Sequence, residues 1–413
     1  MFVLAFTFVK LYGQSEINKL SLGDALEIGL KQNPELLQSI ESINAAKGRF
    51  WSGISLPKPE LELNYEYAPI NSSLNNYGER TFAISQSFEF PTNYFLKGSK
   101  CTKEEESAYQ QFLLKKKQVV AEIRTAYNKV LAKQKLLMYA EEYLIISEDF
   151  FRKAQIRFNV GEGTNIEQLT ARVQLSEAKN KLGITKNELA IAFSELNYSL
   201  GFGQHNYDSN FILTDSLVYI DLRITVEKLQ QIFDESNPQI KIAEIESRIS
   251  SVETTLAWSS LLPNFNLAYF KQTRDGDNGF YGASFGISVP LWFLLDQRGI
   301  IQEATANESI SEANLLQTKN EMNLRLKSVY SDFNNNQQQV MTYVEDILPQ
   351  AEEAYRSAVK SYDAGELSYI EYMQVKQLLI NARENYITAL FNYSQSIIVL
   401  EEIVGQNLNE LEN

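Results

Sequence analysis

Cysteine and histidine are almost missing from this chain: its 413 residues hold one of each, Cys101 and His205. A single thiol allows no internal disulfide and no thiolate metal cluster. A single imidazole leaves little room for histidine catalysis or a histidine metal site. Both residues read as incidental. Basic residues are also scarce, 38 Lys and Arg against 52 Asp and Glu, for a net charge of −14. No basic stripe exists to neutralise a phosphate backbone, which argues against a nucleic-acid partner. Also absent are a Gly-rich phosphate loop, a Ser-His-Asp set and an HExxH motif, and Glu162 and Glu366 are not spaced as a carboxylate dyad. Neither enzymatic activity nor a cofactor is expected. Five methionines and one histidine supply no metal-binding cluster, so a metal would pass through rather than bind.

Long apolar runs are lacking too. The opening "MFVLAFTFV" ends before Lys10, well short of the roughly 20 residues that span a bilayer. Residues 1–14 resemble the apolar core of a secretory signal, with a cut near Gly13 to Ser15. A basic leading segment is missing, so either the start is truncated or the stretch is a loose tail. No lipobox cysteine follows it.

What the chain does have is one unit written twice. "LSLGDALEIGLKQNPEL" (Leu20 to Leu36) aligns with "ITVEKLQQIFDESNPQI" (Ile224 to Ile240), placing Asn33-Pro34 on Asn237-Pro238. "SLPKPELELNYEY" then matches "LLPNFNLAYF", and "SFEFPTNYF" matches "GISVPLWF", pairing Pro57 with Pro263 and Pro91 with Pro290. Last, "FNVGEGTNIEQL" (Phe158 to Leu169) matches "YDAGELSYIEYM" (Tyr362 to Met373), 204 residues further on. Four matches in one order define two repeats, 20–204 and 224–405, with a connector at 205–223 and a tail at 406–413.

Each repeat contains a hairpin, expected at 59–90 and 263–290. Leu61, Leu63, Tyr65 and Tyr67 alternate with Glu60, Glu62, Asn64 and Glu66. The return strand puts Phe82, Ile84, Phe88 and Phe90 opposite Ala83, Ser85, Ser87 and Glu89. In the second repeat Phe265, Leu267, Tyr269, Tyr281, Ala283, Phe285, Ile287 and Val289 share a face, against Gly282, Ser284, Gly286 and Ser288. Polar loops, "INSSLNNYGER" and "TRDGDNG", connect the strands. This period of two marks strands with one apolar face. A soluble sandwich alternates likewise, but four strands do not build one, and isolated hairpins are marginal in water. Strands of 9–11 residues with aromatic ends also suit a transmembrane barrel. Trp51, Trp258 and Trp292 lie beside the strand ends, suited equally to a membrane interface and to packing against helices.

From Ser99 to Val160 no glycine or proline interrupts the chain, room for a helix of roughly 90 Å at 1.5 Å per residue. A second clean stretch runs from Ile300 to Leu348, where Pro349 should break or kink the rod. Val120, Ile123, Tyr127 and Val130 recur at helical spacing, while "SDFNNNQQQV" is polar. One face therefore meets neighbours and another stays wet, as in a coiled-coil wall around water.

The doubled order of Asn-Pro helix, "LP" before a strand, "FP" or "VPL" after a second strand, and long helices around a glycine turn resembles the TolC-type outer-membrane efflux protein family, from about Leu20 to Val404. The resemblance implies a mainly α fold with membrane β-structure: a homotrimer whose protomers each give four strands to a 12-stranded β-barrel in the bacterial outer membrane, continued by a long α-helical barrel in the periplasm. It implies an exit duct for small molecules, metal ions or polypeptides, driven by an inner-membrane pump, proton-driven by the look of the hairpins, through a periplasmic adaptor.

The same resemblance assigns roles at the turns. Val160, Gly161, Glu162 and Gly163, with Ala364, Gly365, Glu366 and Leu367, fall on the tips where the adaptor docks. Alone, each is equally a plain helix cap. Only the second turn keeps a hydrophobic residue, Leu367, after its glycine. Glu371 falls on the first of two acidic positions that ring the periplasmic mouth, and Gln374 replaces the second, halving the expected charge. Glu167, the counterpart of Glu371, either lines the same mouth or is a helix N-terminal carboxylate favoured by the dipole. The alternatives are an extracytoplasmic coiled-coil rod or adaptor with no pore, and a channel for type I polypeptide secretion.

Overall fold

A computed structural model describes residues 19–71, 73, 75–202, 211–292 and 296–408. The expected signal segment, His205 and the start of the connector, and the last five residues of the tail lie outside them. The chain forms β1 (Lys19–Leu20), α1 (Leu22–Gln32), α2 (Pro34–Gly53), β2 (Glu60–Glu66), β3 (Glu79–Phe88), α3 (Pro91–Asn159) and α4 (Asn165–Ser199). The same order then returns as β4 (Ile212–Leu213), α5 (Val226–Ser236), α6 (Pro238–Ser259), β5 (Asn264–Arg274), β6 (Asp277–Ser288), α7 (Asp296–Thr342), α8 (Leu348–Asp363) and α9 (Tyr369–Val404).

The repeated Asn-Pro pairs start helices. Asn33 Oδ1 accepts the Glu35 amide at 2.9 Å, and Asn237 Oδ1 accepts the Ile240 amide at 3.0 Å. The proline that follows sits where a helix amide has no partner anyway, so its missing N–H costs nothing. α3 extends further back than the clean stretch suggests, to Pro91, and tolerates Gly98 inside it. Pro349 does not break its rod. A π-helical turn, Tyr343–Ile347, comes directly before α8 and widens the ladder where the proline ring would press on the preceding turn.

The described chain divides into two compact units. In the unit formed by Leu37–Lys115 and Ser236–Arg325, the two hairpins join into one antiparallel sheet of order β2-β3-β5-β6. Residues directly opposed across an antiparallel pair share a face. Leu61 lies opposite Ile84, Leu63 opposite Phe82, Ile84 opposite Tyr269, Leu267 opposite Phe285 and Phe265 opposite Ile287. Both expected apolar sets therefore merge into a single face, and Leu61, Phe82, Leu267, Tyr281 and Phe285 stand exposed on it. β2 and β6 end the sheet, each with a neighbour on one side only among the described residues. The second hairpin loop is shorter than "TRDGDNG" suggests. Asp275 and Gly276 take φ of 49° and 85°, a two-residue turn whose twist matches the strands, so β5 runs to Arg274 and β6 begins at Asp277. Trp51, Trp258 and Trp292 are all exposed near the opposite strand ends, and Cys101 is buried with Sγ against the Arg49 carbonyl.

The unit formed by residues up to Leu36, Lys116–Glu235 and the chain from Leu326 is helical. One cluster packs Val119, Ile123, Tyr127 and Val130 of α3 against Leu196 of α4, its C-cap Leu200, and Leu20. The Tyr127 hydroxyl donates to the Asp215 carboxylate at 2.6 Å, and that carboxylate also accepts the Leu22 amide, tying the connector to the start of α1. Tyr330 repeats the theme, donating to the Ile224 carbonyl at 3.1 Å. A largely buried ion pair joins Arg124 of α3 to Glu401 of α9. Among the described residues no helix is long and apolar enough to cross a membrane.

Candidate functional site

α3 and α8 end in the same way, 204 residues apart. At the first turn the Gly161 amide donates to Phe158 O and the Glu162 amide to Arg157 O; at the second, the Gly365 amide donates to Tyr362 O and the Glu366 amide to Ser361 O. Each is a paired closure of the last helical carbonyls, and it requires a left-handed residue just past the helix end. Gly161 and Gly365 supply it with φ of 79° and 76°. Nothing lies within 4 Å of where a Cβ would sit on either, so the requirement is conformational and the tips face open space.

The next helices start alike too. Thr164 Oγ1 accepts the Glu167 amide at 3.1 Å, and Ser368 Oγ accepts the Glu371 amide at 3.3 Å. At this point the repeats part. Glu371 folds back to accept the Ser368 amide at 2.9 Å, completing a reciprocal capping box. Glu167 instead pairs with Arg157 at 3.1 Å. The cause is one substitution: Ser361 stands where the repeat would place a second arginine. Glu371 on the first turn of α9 and Gln374 on the second are both exposed. Hydrogen bonds from the Ser368 side chain and amide hold the Glu371 carboxyl below its ordinary value, so it is ionised at neutral pH. Val160, Glu162, Ala364 and Glu366 are exposed, while Gly163 and Leu367 are half-buried. A side chain at 163 would press on Arg157 and the Phe158 amide at 3.1 Å, which fits glycine at that turn.

The two turns share a cleft of about 480 Å³, lined by Ile156, Arg157 and Glu167 from the first and Tyr362, Leu367 and Tyr369 from the second. Beneath it lies a contact that neither turn announces in sequence. The Tyr369 hydroxyl donates to Asp149 Oδ2 at 3.1 Å, across 220 residues. Lys153 binds the same carboxylate at 2.7 Å and lies 4.8 Å over the Tyr369 ring. Tyr369 itself is buried against Phe150 and Tyr362, with Tyr372 stacked on Tyr362 at 5.1 Å. Burial, then the Asp149 charge, pushes the Tyr369 hydroxyl well up, so it stays a donor. Burial alone would raise Asp149, but the bonds from Lys153, Arg152 and Tyr369 outweigh it and hold the carboxyl below 3.8. The capping motifs "TNIE" and "SYIE" are a readable signal for Thr164 and Ser368. The Asp149–Tyr369 tie has no such signature.

A family model described as outer membrane efflux protein matches residues 26–202 and 229–406, one segment per repeat. The chain is similar to the cobalt-zinc-cadmium resistance protein CzcC of Cupriavidus metallidurans, 18% identical over 97% of this chain and 93% of that protein. Among solved structures it resembles a membrane protein of Pseudomonas aeruginosa, with a TM-score of 0.81 at 15% identity over 95% of this chain and 91% of that one. It also resembles the outer membrane protein VceC of Vibrio cholerae, with a TM-score of 0.76 at 16% identity over 94% and 96%. At these identities the structures speak for the fold alone.

Proposed function

The chain belongs to the outer membrane efflux protein family, and we propose that it acts as the outer-membrane exit duct of a tripartite efflux system, as a homotrimer that completes one 12-stranded barrel. The observation that carries this reading is the four-stranded sheet: mostly apolar on one face, mostly polar on the other, and open at both edges. Open edges with an exposed apolar face are an aggregation hazard unless another chain covers them. Four strands are too few for a barrel, which starts at about eight. Three copies, each pairing its β2 with the β6 of the next, remove every edge and turn the apolar face to lipid. A second stripe supports the same partner. Ile184, Ile191 and Tyr198 of α4 recur every seven residues and are all exposed, a seam of coiled-coil spacing that this chain leaves uncovered.

In this reading the helical unit lies in the periplasm and the two glycine turns form its tips, six per trimer. The turn at Gly365, with half-buried Leu367 at the mouth of the shared cleft, takes the adaptor's hairpin, and the turn at Gly161 completes the groove. Glu371 from each protomer places a carboxylate near the axis of the mouth and favours cations, with Gln374 adding polarity but no charge. Glu167, spent on Arg157, serves as a helix-start carboxylate. The Asp149–Tyr369 bond straps the second tip to α3, and its release accompanies widening of the mouth. The pump is an inner-membrane, proton-driven one. Divalent metal ions stand first among its cargo, on the likeness to a cobalt-zinc-cadmium resistance protein. Planar-bilayer recording of the purified protein tests the reading: discrete channels from trimers support it, and a soluble monomer without conductance overturns it.

A further inference from the structure

The apolar face of the sheet is not uniformly uncharged. Across its regularly paired register it carries two charged residues, and both are cations at the hairpin-turn end. Arg80 lies opposite Tyr65 on one side and Thr273 on the other; Lys271 lies opposite Phe82 and Tyr281. They are diagonal neighbours across β3 and β5, about 7–8 Å apart at the backbone. The strand carboxylates Glu60, Glu62, Glu66 and Glu79 all fall on the other face, by the same register. In a chain with more acids than bases, that segregation is a strong bias. Beyond the bulge, Asp275 and Asp277 belong to the tight turn, and Asp277 Oδ1 is taken by the Gly279 amide at 3.1 Å.

Neither cation has an ion-pair partner among the described residues, yet Arg80 is held in place. Its guanidinium carbon lies 5.4 Å over the Tyr77 ring, and Tyr77 meets Tyr65 edge-on at 5.3 Å. Tyr281, directly opposite Lys271, stands exposed. Cations on a lipid-facing surface are tolerated where their heads reach the headgroup layer, and tyrosine prefers the same depth. Phosphate is the anion that layer supplies, and arginine presents it a forked set of donors.

We propose that Arg80 and Lys271, with Tyr65, Tyr77 and Tyr281, form a docking rim for the phosphorylated headgroup of an outer-leaflet glycolipid, one per protomer. The proposal rests on the reading of this face as lipid-facing. Its occupant follows from charge complementarity: two unpaired cations, aromatic hydroxyls and no paired-strand carboxylate on that face. The headgroup seats outside the barrel wall and clamps the rim of the hairpins.

The test is lipid binding by the full-length protein, purified in neutral detergent and titrated with lipid A, with the same lipid stripped of its phosphates, and with inorganic phosphate, read by native mass spectrometry. Wild type should retain lipid A, and R80Q/K271Q should lose about tenfold or more in affinity, because both charge-assisted contacts to phosphate are removed. Arg223→Gln, an exposed cation of the helical unit, should bind like wild type. Equal retention of lipid A by the double variant, or of the stripped lipid by wild type, overturns the rim. Insertion into phosphatidylcholine vesicles separates the two claims. A protein that inserts but does not distinguish the lipids refutes the rim alone, and one that enters no bilayer refutes the lipid-facing reading with it.

Discussion

Removing the Tyr369 hydroxyl should loosen the tip without unfolding it. In Tyr369→Phe the ring keeps its packing against Phe150 and Tyr362, and the 3.1 Å bond to Asp149 is lost. A hydrogen bond to a charged acceptor contributes about 1.5–3 kcal/mol. Asp149 keeps Lys153 and Arg152 as donors and is partly open to water, so the loss falls to the bottom of that range or just below it, about 1–1.5 kcal/mol. That corresponds to about a five- to tenfold shift toward the open mouth. Tyr362→Phe is the control, because its structural role is ring stacking, which phenylalanine preserves. Single-channel recording should show a rise of that size in open probability for Tyr369→Phe and none for Tyr362→Phe. An unchanged open probability in a correctly folded Tyr369→Phe protein, or an equal rise in both, refutes the strap.

Three further outcomes follow from the same geometry. Gly161→Ala and Gly365→Ala should each cost about 1 kcal/mol in denaturant melts, the left-handed conformation alone. Gly201→Ala should cost at least twice that, because φ is 82° there and the Gln32 carbonyl oxygen lies 2.7 Å from the new Cβ. Glu371→Gln keeps an acceptor for the Ser368 amide but removes the charge, so cation preference should fall while tip stability holds; Glu371→Ala should lose both, and a reversal potential unmoved by either variant would sink the acidic-mouth assignment. The pH dependence has a definite sign. Asp149 and Glu371 both titrate below their ordinary 3.8 and 4.5, so their contributions are complete above those values and vanish as pH falls through the lower folded ones. Conductance and selectivity should therefore stay flat from pH 8 to about 5, and a transition near pH 6–7 would point to other groups.

The doubled architecture was legible because its marks are local. Glycine at a left-handed helix end, asparagine before proline and period-two alternation each announce themselves within a few residues. A third pair at the same spacing, Gly201 and Gly405 with φ of 82° and 84°, has the same left-handed conformation at a helix end but lacks the acidic and Ile-Glu context that marks the other two glycine turns. The short Asp275-Gly276 turn was hidden by the second glycine of "TRDGDNG", Gly279, which made the loop look longer than it is. At Pro349 the sequence suggests a break or a kink; the helix is not broken there, and a π turn interrupts the regular ladder just before the proline. The divergence of Glu167 and Glu371 depends on Arg157 against Ser361, ten residues back in each repeat, and is visible only when the repeats are aligned beyond the turn. The Asp149–Tyr369 tie spans 220 residues and two elements, and no periodicity encodes such a pair.

The central claim is that three open sheets close on one another into a lipid-facing barrel. It is tested most directly by extracting the full-length protein from bacterial outer membranes, comparing heated with unheated samples by electrophoresis, and recording the unheated species in planar bilayers. The account predicts a heat-modifiable trimer that forms discrete, cation-preferring channels. A monomer that stays soluble without detergent and carries no current would contradict it.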